Sequence, residues 1–174
     1  MNDIIIRKAC KNNIDDIVVL YNETIDWLNN QGIFQWSKGV YPTRKSALAA
    51  VRENSLYCFC DDYNIQGTFI LNEKQAQEYK YLNWRYRSDK VLVLHTLLIN
   101  PNKTGRGLGK TIMEFVLDFA HENGYKAIRL DVFPDNQAAV GLYLHFGFEF
   151  VGRVFFEMKK PGYEWYDCYE KLIL

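Results

Sequence analysis

The chain has no excess of charge of either sign and no long apolar run. Lys plus Arg and Asp plus Glu both number 21 in 174 residues, so the formal net charge is zero. Nucleic-acid-binding domains and polybasic membrane-binding patches are marked by a surplus of basic residues. No apolar run reaches the roughly 18 residues of a membrane-spanning helix, and the first residues lack the long apolar segment of a secretory signal peptide. The sequence therefore predicts neither a nucleic-acid partner nor a membrane partner.

Cysteine is scarce, and its spacing does not suit a structural metal site. The four cysteines are Cys10, Cys58, Cys60 and Cys168. They form no CxxC pair and no Cys/His ligand spacing, so no metal is predicted. Cys58 and Cys60 are two residues apart in a strand-like run and should share one face of the strand. A reduced cytoplasm is the expected compartment.

What is present has the composition of one folded domain. Apolar residues make up 48% of the chain and charged residues 24%, which is ordinary for a globular protein with a full core. We therefore predict a single domain over residues 1–174. Aromatic residues reach 16%, enough to fill a core and also to line a ligand cleft.

Hydrophobic periodicity predicts strands alternating with helices. Apolar residues recur at helical spacing from Ile14 to Leu28, with Asn13 as the N-cap, and Leu108–Glu122 is amphipathic. Val91–Ile99 is nearly continuous apolar, as in a central strand. The remaining elements are predicted at Ile4–Arg7, Lys45–Glu53, Leu56–Cys60, Gln66–Asn72, Ala127–Phe133, Asn136–Phe146, Phe148–Glu157 and Glu164–Leu172. Their order is β-α-α-β-β-β-α-β-α-β-β, one mixed sheet with helices on its faces; Gln75–Lys90 receives no assignment.

A glycine-rich loop is the most informative stretch of the sequence. In Leu97–Thr111 (LLINPNKTGRGLGKT) a strand ends, Pro101 turns the chain, and three glycines alternate before a helix. Without Cβ atoms, backbone amides can converge on one point, and the helix start adds unpaired N–H groups and partial positive charge. With Lys110 beside the loop, we predict a phosphate or pyrophosphate site. The alternative is a glycine-rich turn that only starts the helix.

A nucleotide-binding P-loop is a further alternative. The run TGRGLGKT approaches the pattern G-x-x-x-x-G-K-T, but the first required glycine falls on Thr104. The run Ala127–Asp131 (AIRLD) could pass for the second nucleotide-binding strand. Too little chain follows the loop for the parallel sheet that such proteins usually have, so the sequence disfavours this interpretation.

The loop resembles the acetyl-CoA loop of the GNAT superfamily of N-acetyltransferases. That loop reads Gln/Arg-x-x-Gly-x-Gly/Ala and follows a strand that ends in an L-A-V-x-P-like run. Leu97–Pro101 corresponds to the strand end, and Thr104–Gly109 corresponds to the loop. The sequence departs from the family at Thr104, where Gln or Arg is usual, and Arg106 or Lys103 could supply the missing positive charge.

A second motif strengthens the resemblance. Asn136–Phe148 matches the family helix N-x-x-A-x-x-L-Y-x-x-x-G-F at every fixed position, and the resemblance covers Val91 to about Gly152. It implies an α/β fold of the GNAT-like acyl-CoA N-acyltransferase type. That fold has a mixed, mostly antiparallel sheet of about seven strands with two central parallel strands splayed apart, flanked by about four helices. The acetyl-CoA-binding core would then lie at about residues 91–152, with acetyl-CoA as the acyl donor.

The resemblance also implies where acetyl-CoA binds. Its pantetheine arm would complete the ladder of the strand that ends at Ile99, and an amide of Leu98 or Ile99 would bond the thioester carbonyl and stabilise the oxyanion formed there. Its pyrophosphate would rest on the glycine-loop amides. The implied cofactor-binding residues are Leu97, Leu98, Ile99, Thr104, Gly105, Arg106, Gly107, Leu108, Gly109, Lys110, Asn136 and Tyr143.

Direct attack of an amine on the thioester requires two proton transfers. An alkylamine with a pKa of about 10 must lose a proton, and the departing thiolate benefits from gaining one. Tyr143, whose counterpart in the family points at the sulfur, is the predicted acid; the alternative is a core tyrosine. His95, in an otherwise apolar run, is the predicted base. The alternatives are a structural histidine bonded to a carbonyl, or deprotonation through water.

The acceptor is the part that the sequence leaves open. Trp36 and Tyr41 lie in the loop Gly32–Arg44, which lines the acceptor cleft in this fold, and are predicted substrate contacts; the alternative is that they pack the first helices onto the sheet. The predicted activity is transfer of an acetyl group to a primary amine of a small molecule or peptide. A GNAT-like module that binds acyl-CoA without turnover is the alternative, and a homodimer stays open.

Overall fold

The computed structural model describes residues 4–61, 64–88 and 90–174. Within them the strands are β1 Ile4–Lys8, β2 Leu56–Asp61, β3 Asn64–Asn72, β4 Leu92–Ile99, β5 Ala127–Val132, β6 Glu149–Phe155 and β7 Trp165–Leu172. The helices are α1 Ile14–Asn30, α2 Arg44–Arg52, α3 Leu108–Glu122 and α4 Gln137–His145. Short 3-10 turns occur at Lys11–Asn13, Gln77–Tyr81 and Pro101–Lys103. The predicted order of strands and helices is confirmed; the sequence also predicts a turn at Asp61–Asn64, of which residues 62 and 63 lie outside the described residues.

The strands form one mixed sheet in the order β1-β2-β3-β4-β5-β7-β6. The pairs β1–β2, β2–β3, β5–β7 and β6–β7 are antiparallel, whereas β4 and β5 are parallel. The register pairs of the parallel ladder are Leu92 with Ile128 and Val93 with Arg129, near the amino-terminal ends of both strands. The predicted fold class, a mostly antiparallel sheet with a central parallel pair, is confirmed.

Packing divides the described residues into two compact units. The first contains the residues up to Leu71 together with His95–Ile112. Residues of α1 at helical spacing turn one apolar face inward, and side chains of α2, β2 and β4 pack against that face. The buried cluster includes Ile14, Ile17, Tyr21, Ala47, Leu56, Cys58, Cys60, Ile70 and Leu98.

The start of α1 differs from the prediction in one detail. Asn13 occupies the N-cap position, but its side chain makes no hydrogen bond to the helix. Its Oδ1 instead accepts hydrogen bonds from the backbone N–H of Cys10 and from the Arg7 guanidinium, each at 3.0 Å. Asn13 is thus the N-cap, as predicted, but it makes no side-chain bond to α1, because a 3-10 turn precedes the helix and takes the Asn13 oxygen for its own start.

The second unit contains Asn72–Leu94 and Met113–Leu174. Within the segment that the sequence left unassigned, the described residues 75–88 form a 3-10 turn at Gln77–Tyr81 and otherwise lie as loop against β5, β6 and β7. Its Trp84 ring lies 4.2 Å from the guanidinium carbon of the buried Arg129, whose Nε donates to Glu170 at 3.0 Å. Glu170 also accepts from the backbone N–H of Arg85 at 2.9 Å. Buried charges need such partners. The conformation of this segment is therefore determined by its contacts with the β-sheet and not by a local helix or strand pattern.

All four cysteines carry free thiols, and Cys58, Cys60 and Cys168 are buried. Burial raises the pKa of Cys58 to about 12, with Cys60 and Cys10 acting in the same direction and Arg7 opposing them. The thiolate is the reactive form of cysteine, so the Cys58 thiol is poorly suited to nucleophilic chemistry.

None of the helices among the described residues has the length and apolar character needed to cross a membrane.

Candidate active site

The glycine loop adopts a conformation that only glycine takes readily. Gly105 has φ of 77° and Gly107 has φ of 81°, and no atom lies within 4 Å of where a Cβ at either position would stand. Both lie in the left-handed region, which costs an L-residue about 1–2 kcal/mol. The carbonyl of Gly107 accepts the backbone N–H of Thr111 at 3.2 Å, so α3 starts directly on the loop. The backbone conformation therefore requires glycine at both positions, and the absence of side chains leaves the loop backbone accessible.

A polar network fixes the turn that precedes the loop. The backbone N–H of Asn100 donates to the Gln66 carbonyl at 2.7 Å, and its side-chain amide donates to Gln66 Oε1 at 2.9 Å. Gln66 Nε2 donates to Asp61 Oδ1 at 2.8 Å, and Lys103 Nζ lies 3.1 Å from Asp61 Oδ2. The charge of Lys103 is thus engaged by Asp61, which leaves Arg106 and Lys110 as the cations exposed beside the loop.

The loop fits a pyrophosphate by the chemistry of its donors. The first N–H groups of a helix have no partner within the helix, and at the start of α3 they belong to Leu108, Gly109 and Lys110. Thr104–Gly107 is exposed, Leu108 is buried beneath the loop, and no side chain projects from Gly105, Gly107 or Gly109. An anion can therefore approach these amides closely, with the positive end of the helix dipole behind them.

The strand before the loop is held close to its neighbour in the first unit. The carbonyl oxygen of Leu98 lies 2.7 Å from the position that a Cβ at Gly67 would occupy. A side chain at Gly67 would therefore collide with the β4 backbone. Leu98 is buried, whereas Leu97 and Ile99 on either side are half-buried. The part of β4 that is predicted to bind pantetheine is therefore held in place by its close contact with Gly67 of β3.

β4 contains an irregular point next to the predicted base. Thr96 has φ of 52°, an uncommon conformation for a β-branched residue that persists only when neighbours support it. Its hydroxyl is hydrogen-bonded to the hydroxyl of Tyr41. The predicted base, His95, directly precedes it and is half-buried. Tyr41 therefore braces β4 at this point, and its predicted contact with substrate stays a prediction.

Trp36, the other predicted substrate contact, is half-buried and packs against the core of the first unit. Part of its ring therefore serves the packing of α1 and α2, as the alternative in the sequence analysis held.

Two predicted residues lie on α4 in the second unit. Asn136 is the N-cap of α4, and its Oδ1 accepts the Ala139 N–H at 3.2 Å. Tyr143 is buried, with its ring centroid 5.9 Å from that of Phe148. Burial raises the pKa of the Tyr143 hydroxyl, and the Asp131 carboxylate raises it further. Tyr143 therefore keeps its proton at neutral pH and is a hydrogen-bond donor.

Asp131 is a functional candidate that sequence reasoning missed. It lies near the carboxyl end of β5, and its Oδ2 accepts a hydrogen bond of 2.7 Å from the buried Tyr79 hydroxyl. Beyond the effect of burial, its charge raises the pKa values of Tyr143, Tyr166 and Cys168. A carboxylate in this setting can hold an ammonium group or accept a proton.

The sequence carries a signal for Asp131. In the run Ala127–Asp131, Arg129 and Asp131 alternate with apolar Ile128 and Leu130, so both polar side chains share one face of a largely buried strand. Arg129 is neutralised by Glu170. Asp131 is paired instead with an uncharged tyrosine, and that partner could not be read from the sequence because Tyr79 lies in the unassigned segment.

Comparison with known proteins identifies the family. The profile of the acetyltransferase (GNAT) family matches residues 21–148. The chain therefore belongs to the GNAT family of acetyltransferases, and the family, the fold and the acyltransferase class predicted from the two motifs are confirmed.

Curated relatives show how far the similarity extends. The uncharacterized N-acetyltransferase YesJ of Bacillus subtilis is 24% identical over 140 residues, which cover 79% of this chain and 77% of YesJ. The protein ML0378 of Mycobacterium leprae is 42% identical over 59 residues, which cover 34% of this chain and 16% of that protein. The chain thus spans well under two thirds of ML0378, so this match shows a shared segment and not a shared whole-protein activity.

Solved structures share the fold over nearly the whole chain. A GNAT-family acetyltransferase from Streptococcus agalactiae has a TM-score of 0.83 at 20% identity, covering 97% of this chain and 95% of that one. YncA of Salmonella typhimurium, whose structure was solved with its cofactor acetyl-CoA, has a TM-score of 0.72 at 15% identity, covering 99% and 95%. At these identities the likeness concerns the fold.

Proposed function

We propose that this chain is an acetyl-CoA-dependent N-acetyltransferase that transfers the acetyl group to a primary amine by direct attack. Family membership supports the proposal. Within the molecule, one observation carries it: Gly105 and Gly107 take left-handed conformations directly before α3. That arrangement leaves the amides at the helix start open to an anion, which suits the pyrophosphate of acetyl-CoA.

Acetyl-CoA, when bound, supplies an acetyl group activated as a thioester. The amides from Gly105 to Lys110 would hold its pyrophosphate, with the Arg106 and Lys110 side chains adding positive charge. The backbone of Leu97–Ile99 would hold the pantetheine arm, as the family resemblance implies. The structural likeness to YncA, which was solved with acetyl-CoA as its cofactor, supports this choice of acyl donor.

The tyrosine on α4 is suited to donate a proton. Its hydroxyl stays protonated because burial and the nearby carboxylate both raise its pKa. We propose that Tyr143 donates a hydrogen bond, and then a proton, to the departing thiolate. This assignment rests on the helix motif, which matches the family at every fixed position.

Two residues are candidates for handling the acceptor amine. The Asp131 carboxylate can attract an ammonium group and take its proton, and the hydrogen bond from Tyr79 holds it in place. His95, whose ordinary pKa of about 6.5 suits proton abstraction near neutrality, is the candidate from the sequence. The pH dependence of kcat/KM in His95→Gln separates them.

The acceptor is proposed only as a class. A primary amine on a small molecule or peptide is expected, with Trp36 and Tyr41 as candidate contacts. One relative, RimI of Mycobacterium tuberculosis, is named an N-alpha-acetyltransferase and is 39% identical over 59 residues, 35% of its length, so a peptide amine belongs in any test. The free thiols support a reducing compartment such as the cytoplasm.

A panel of amines tests the proposal. The purified chain is incubated with acetyl-CoA and polyamines, aminoglycosides, amino acids or N-terminal peptides, and thiol release is followed. Release with at least one amine is expected, together with thermal stabilisation by acetyl-CoA and none by ATP. Stabilisation without release from any amine would indicate a non-catalytic acyl-CoA-binding module, and stabilisation by ATP alone would overturn the loop assignment.

A further inference from the structure

The hydroxyl of Tyr41 reaches β4 at the point where that strand is irregular. Thr96 has φ of 52°, in the left-handed region that a β-branched residue occupies only when its surroundings support it. Its Oγ1 is hydrogen-bonded to the Tyr41 hydroxyl, across 55 residues of sequence. Both residues belong to the first unit, together with the end of β4 and the glycine loop. The hydrogen bond therefore supports the unusual backbone of Thr96 from outside the strand.

Tyr41 is itself held in place on both sides. Its backbone N–H donates to the Ser37 carbonyl at 3.1 Å, and its carbonyl accepts the Ser37 N–H at 3.3 Å, which closes a tight turn. Lys38 in this turn lies 2.5 Å from the Asp26 carboxylate of α1. Two residues after Tyr41, Thr43 is the N-cap of α2, and its side chain accepts a backbone N–H of that helix. The Tyr41 ring is thus carried by a short segment that is attached to α1 and α2.

The conformation of Thr96 sets the direction of the amides that follow it. In an extended strand, successive backbone N–H groups face opposite edges of the strand. The N–H of Asn100 donates to the Gln66 carbonyl of β3 at 2.7 Å, so the N–H of Ile99 faces the edge away from β3. A change of φ at Thr96 from 52° to the extended value of about −120° would rotate the chain beyond it by nearly half a turn. The direction of the Ile99 N–H therefore depends on Thr96.

The edge that Ile99 faces is the one at which acetyl-CoA is expected. The register pairs of β4 with β5 lie at Leu92 and Val93, before the irregular point. The family resemblance implies that the pantetheine arm completes the ladder of β4 beyond them, with an amide of Leu98 or Ile99 bonded to the thioester carbonyl. The carbonyl of Leu98 lies against Gly67 of β3, and the N–H and carbonyl of one strand residue share an edge. Ile99 is therefore the better placed donor of the two.

We propose that Tyr41 is a positioning residue for acetyl transfer, because through Thr96 it holds β4 with the Ile99 amide directed at the thioester carbonyl. The inference rests on the proposed N-acetyltransferase function. Negative charge develops on the carbonyl oxygen as the amine attacks, and a donor directed at that oxygen lowers the barrier. In this role Tyr41 contacts no reacting atom and acts only through the backbone of β4.

A set of variants at the two positions separates this role from a direct contact with the acceptor. Tyr41→Phe removes the hydrogen bond and keeps the ring, whereas Thr96→Val removes it from the other side and keeps the β-branched shape. Each should lower kcat with a reactive amine by roughly 10-fold or more, because a small displacement of an oxyanion donor is costly. The double variant should be no slower than either single variant, since both remove the same interaction.

Glycine at position 96 provides the rescue. Thr96→Gly takes a positive φ without support from a neighbour, so adding Tyr41→Phe to it should lower kcat little. If Tyr41→Phe costs as much in the Thr96→Gly background as in the parent, Tyr41 acts on the acceptor and the proposal is wrong.

The crystal structure of free Tyr41→Phe gives a readout that does not depend on activity. Thr96 should leave the region of positive φ, and the Ile99 N–H should change direction with it. An unchanged φ at Thr96 would overturn the proposal.

Binding of CoA distinguishes failure of this inference from failure of the proposed function. CoA carries the pyrophosphate but no thioester carbonyl, so it should stabilise the parent and Tyr41→Phe similarly in thermal unfolding. Loss of CoA binding in Tyr41→Phe would show a wider disruption of the first unit and would contradict the proposal. A parent that acetylates an amine no faster than Tyr41→Phe does would sink this inference alone. A parent that neither binds CoA nor releases thiol from acetyl-CoA with any amine would remove both proposals.

Discussion

The Tyr79 hydroxyl donates a hydrogen bond of 2.7 Å to Oδ2 of Asp131, across 52 residues of sequence. Tyr79 is almost fully buried, and its ring packs at 5.0 Å against Trp84. Burial and the Asp131 charge both hold the pKa of Tyr79 well above its usual range. The tyrosine therefore stays a donor wherever the fold persists, and it fixes the carboxylate that we propose receives the acceptor amine.

Replacing that carboxylate tests its role. Asp131→Asn keeps the shape and can still accept a hydrogen bond from Tyr79, but it carries no charge and takes up no proton. We expect acetyl-CoA binding to be unchanged and kcat/KM for the acceptor amine to fall by about 10²-fold. Tyr79→Phe is the matched control, because it removes the hydrogen bond and leaves the charge; its activity should fall less. Steady-state measurement of kcat/KM for the acceptor amine tests this expectation. A parental value in Asp131→Asn would show that Asp131 has no role in the reaction.

The glycine loop predicts how acetyl-CoA stabilises the fold. At 100 times its dissociation constant, the ligand should add about 2.7 kcal/mol to the free energy of unfolding. Gly107→Asp should abolish most of this gain, because a side chain and a negative charge would enter the anion site. Its φ of 81° means that the substitution also costs the free protein about 1–2 kcal/mol.

A second glycine supplies the control for that strain. Gly124, just beyond α3, has φ of 71° and the same open surroundings. Gly124→Asp should therefore lose similar stability and keep the full acetyl-CoA effect in thermal unfolding. If both variants respond to acetyl-CoA like the parent, the loop does not bind the pyrophosphate.

The region from Val91 to Gly152 was predictable because its structure is local in sequence. The strand, the glycine loop and α3 follow one another directly, and the bounds of α3, Leu108–Glu122, agree with those predicted from its apolar spacing. The left-handed glycines belong to the same short stretch. Local signals of this kind need no knowledge of distant partners.

The parts that escaped prediction depend on contacts far apart in the chain. Residues 75–88 gain their order from Arg129, Glu170 and Asp131, more than 40 residues away. The proton-transfer candidate Asp131 gains its importance from Tyr79, within that segment. Asn13 failed as a side-chain cap because a preceding 3-10 turn competes for the same oxygen. The spacing of residues along one sequence does not show which of two competing hydrogen bonds a side chain will make.

A pH profile tests the histidine. If His95 is the base, the rate at low substrate should rise with pH through the pKa of this imidazole in the free enzyme. His95→Gln should lower kcat/KM by about 10²-fold and abolish that rise. The measurement is kcat/KM from pH 5.5 to 8.5. A rise that persists in His95→Gln would return His95 to a structural role and favour Asp131 or water as the proton acceptor.

The network before the glycine loop predicts an acid-sensitive contribution to stability. The hydrogen bond from Gln66 lowers the pKa of Asp61, and Lys103 lowers it further against the opposing effect of burial. A depressed folded-state pKa stabilises the fold above the unfolded value of about 3.9, and this stabilisation is lost as the pH falls through the folded value. Asp61→Asn should therefore lower the melting temperature at pH 7 but not near pH 2.

The exposed Asp118 on α3 is the control for that experiment, because the same substitution there should leave the melting temperature nearly unchanged at pH 7. Asp61→Asn should also weaken stabilisation by acetyl-CoA, since Lys103 loses its ionic partner and Gln66, which bonds Asn100, loses its charged acceptor. A melting difference that is the same at pH 2 and pH 7 would contradict the ionic origin of the effect.

The hydroxyl of Tyr143 provides the test that best separates an enzyme from a binding module. Tyr143→Phe removes one oxygen and keeps the ring that packs 5.9 Å from Phe148, so stability should change by only about 1 kcal/mol. Acetyl-CoA binding should hardly change, whereas kcat should fall by roughly 10²-fold if protonation of the departing thiolate contributes to the limiting step. The thiolate of a more acidic thiol leaves more readily without protonation. A thioester of such a thiol should therefore reduce the difference in kcat between variant and parent. Single-turnover rates with both thioesters measure this difference. If Tyr143→Phe reacts at the parental rate, Tyr143 is not the acid. The glycine-loop assignment would be unaffected, because it depends on other residues.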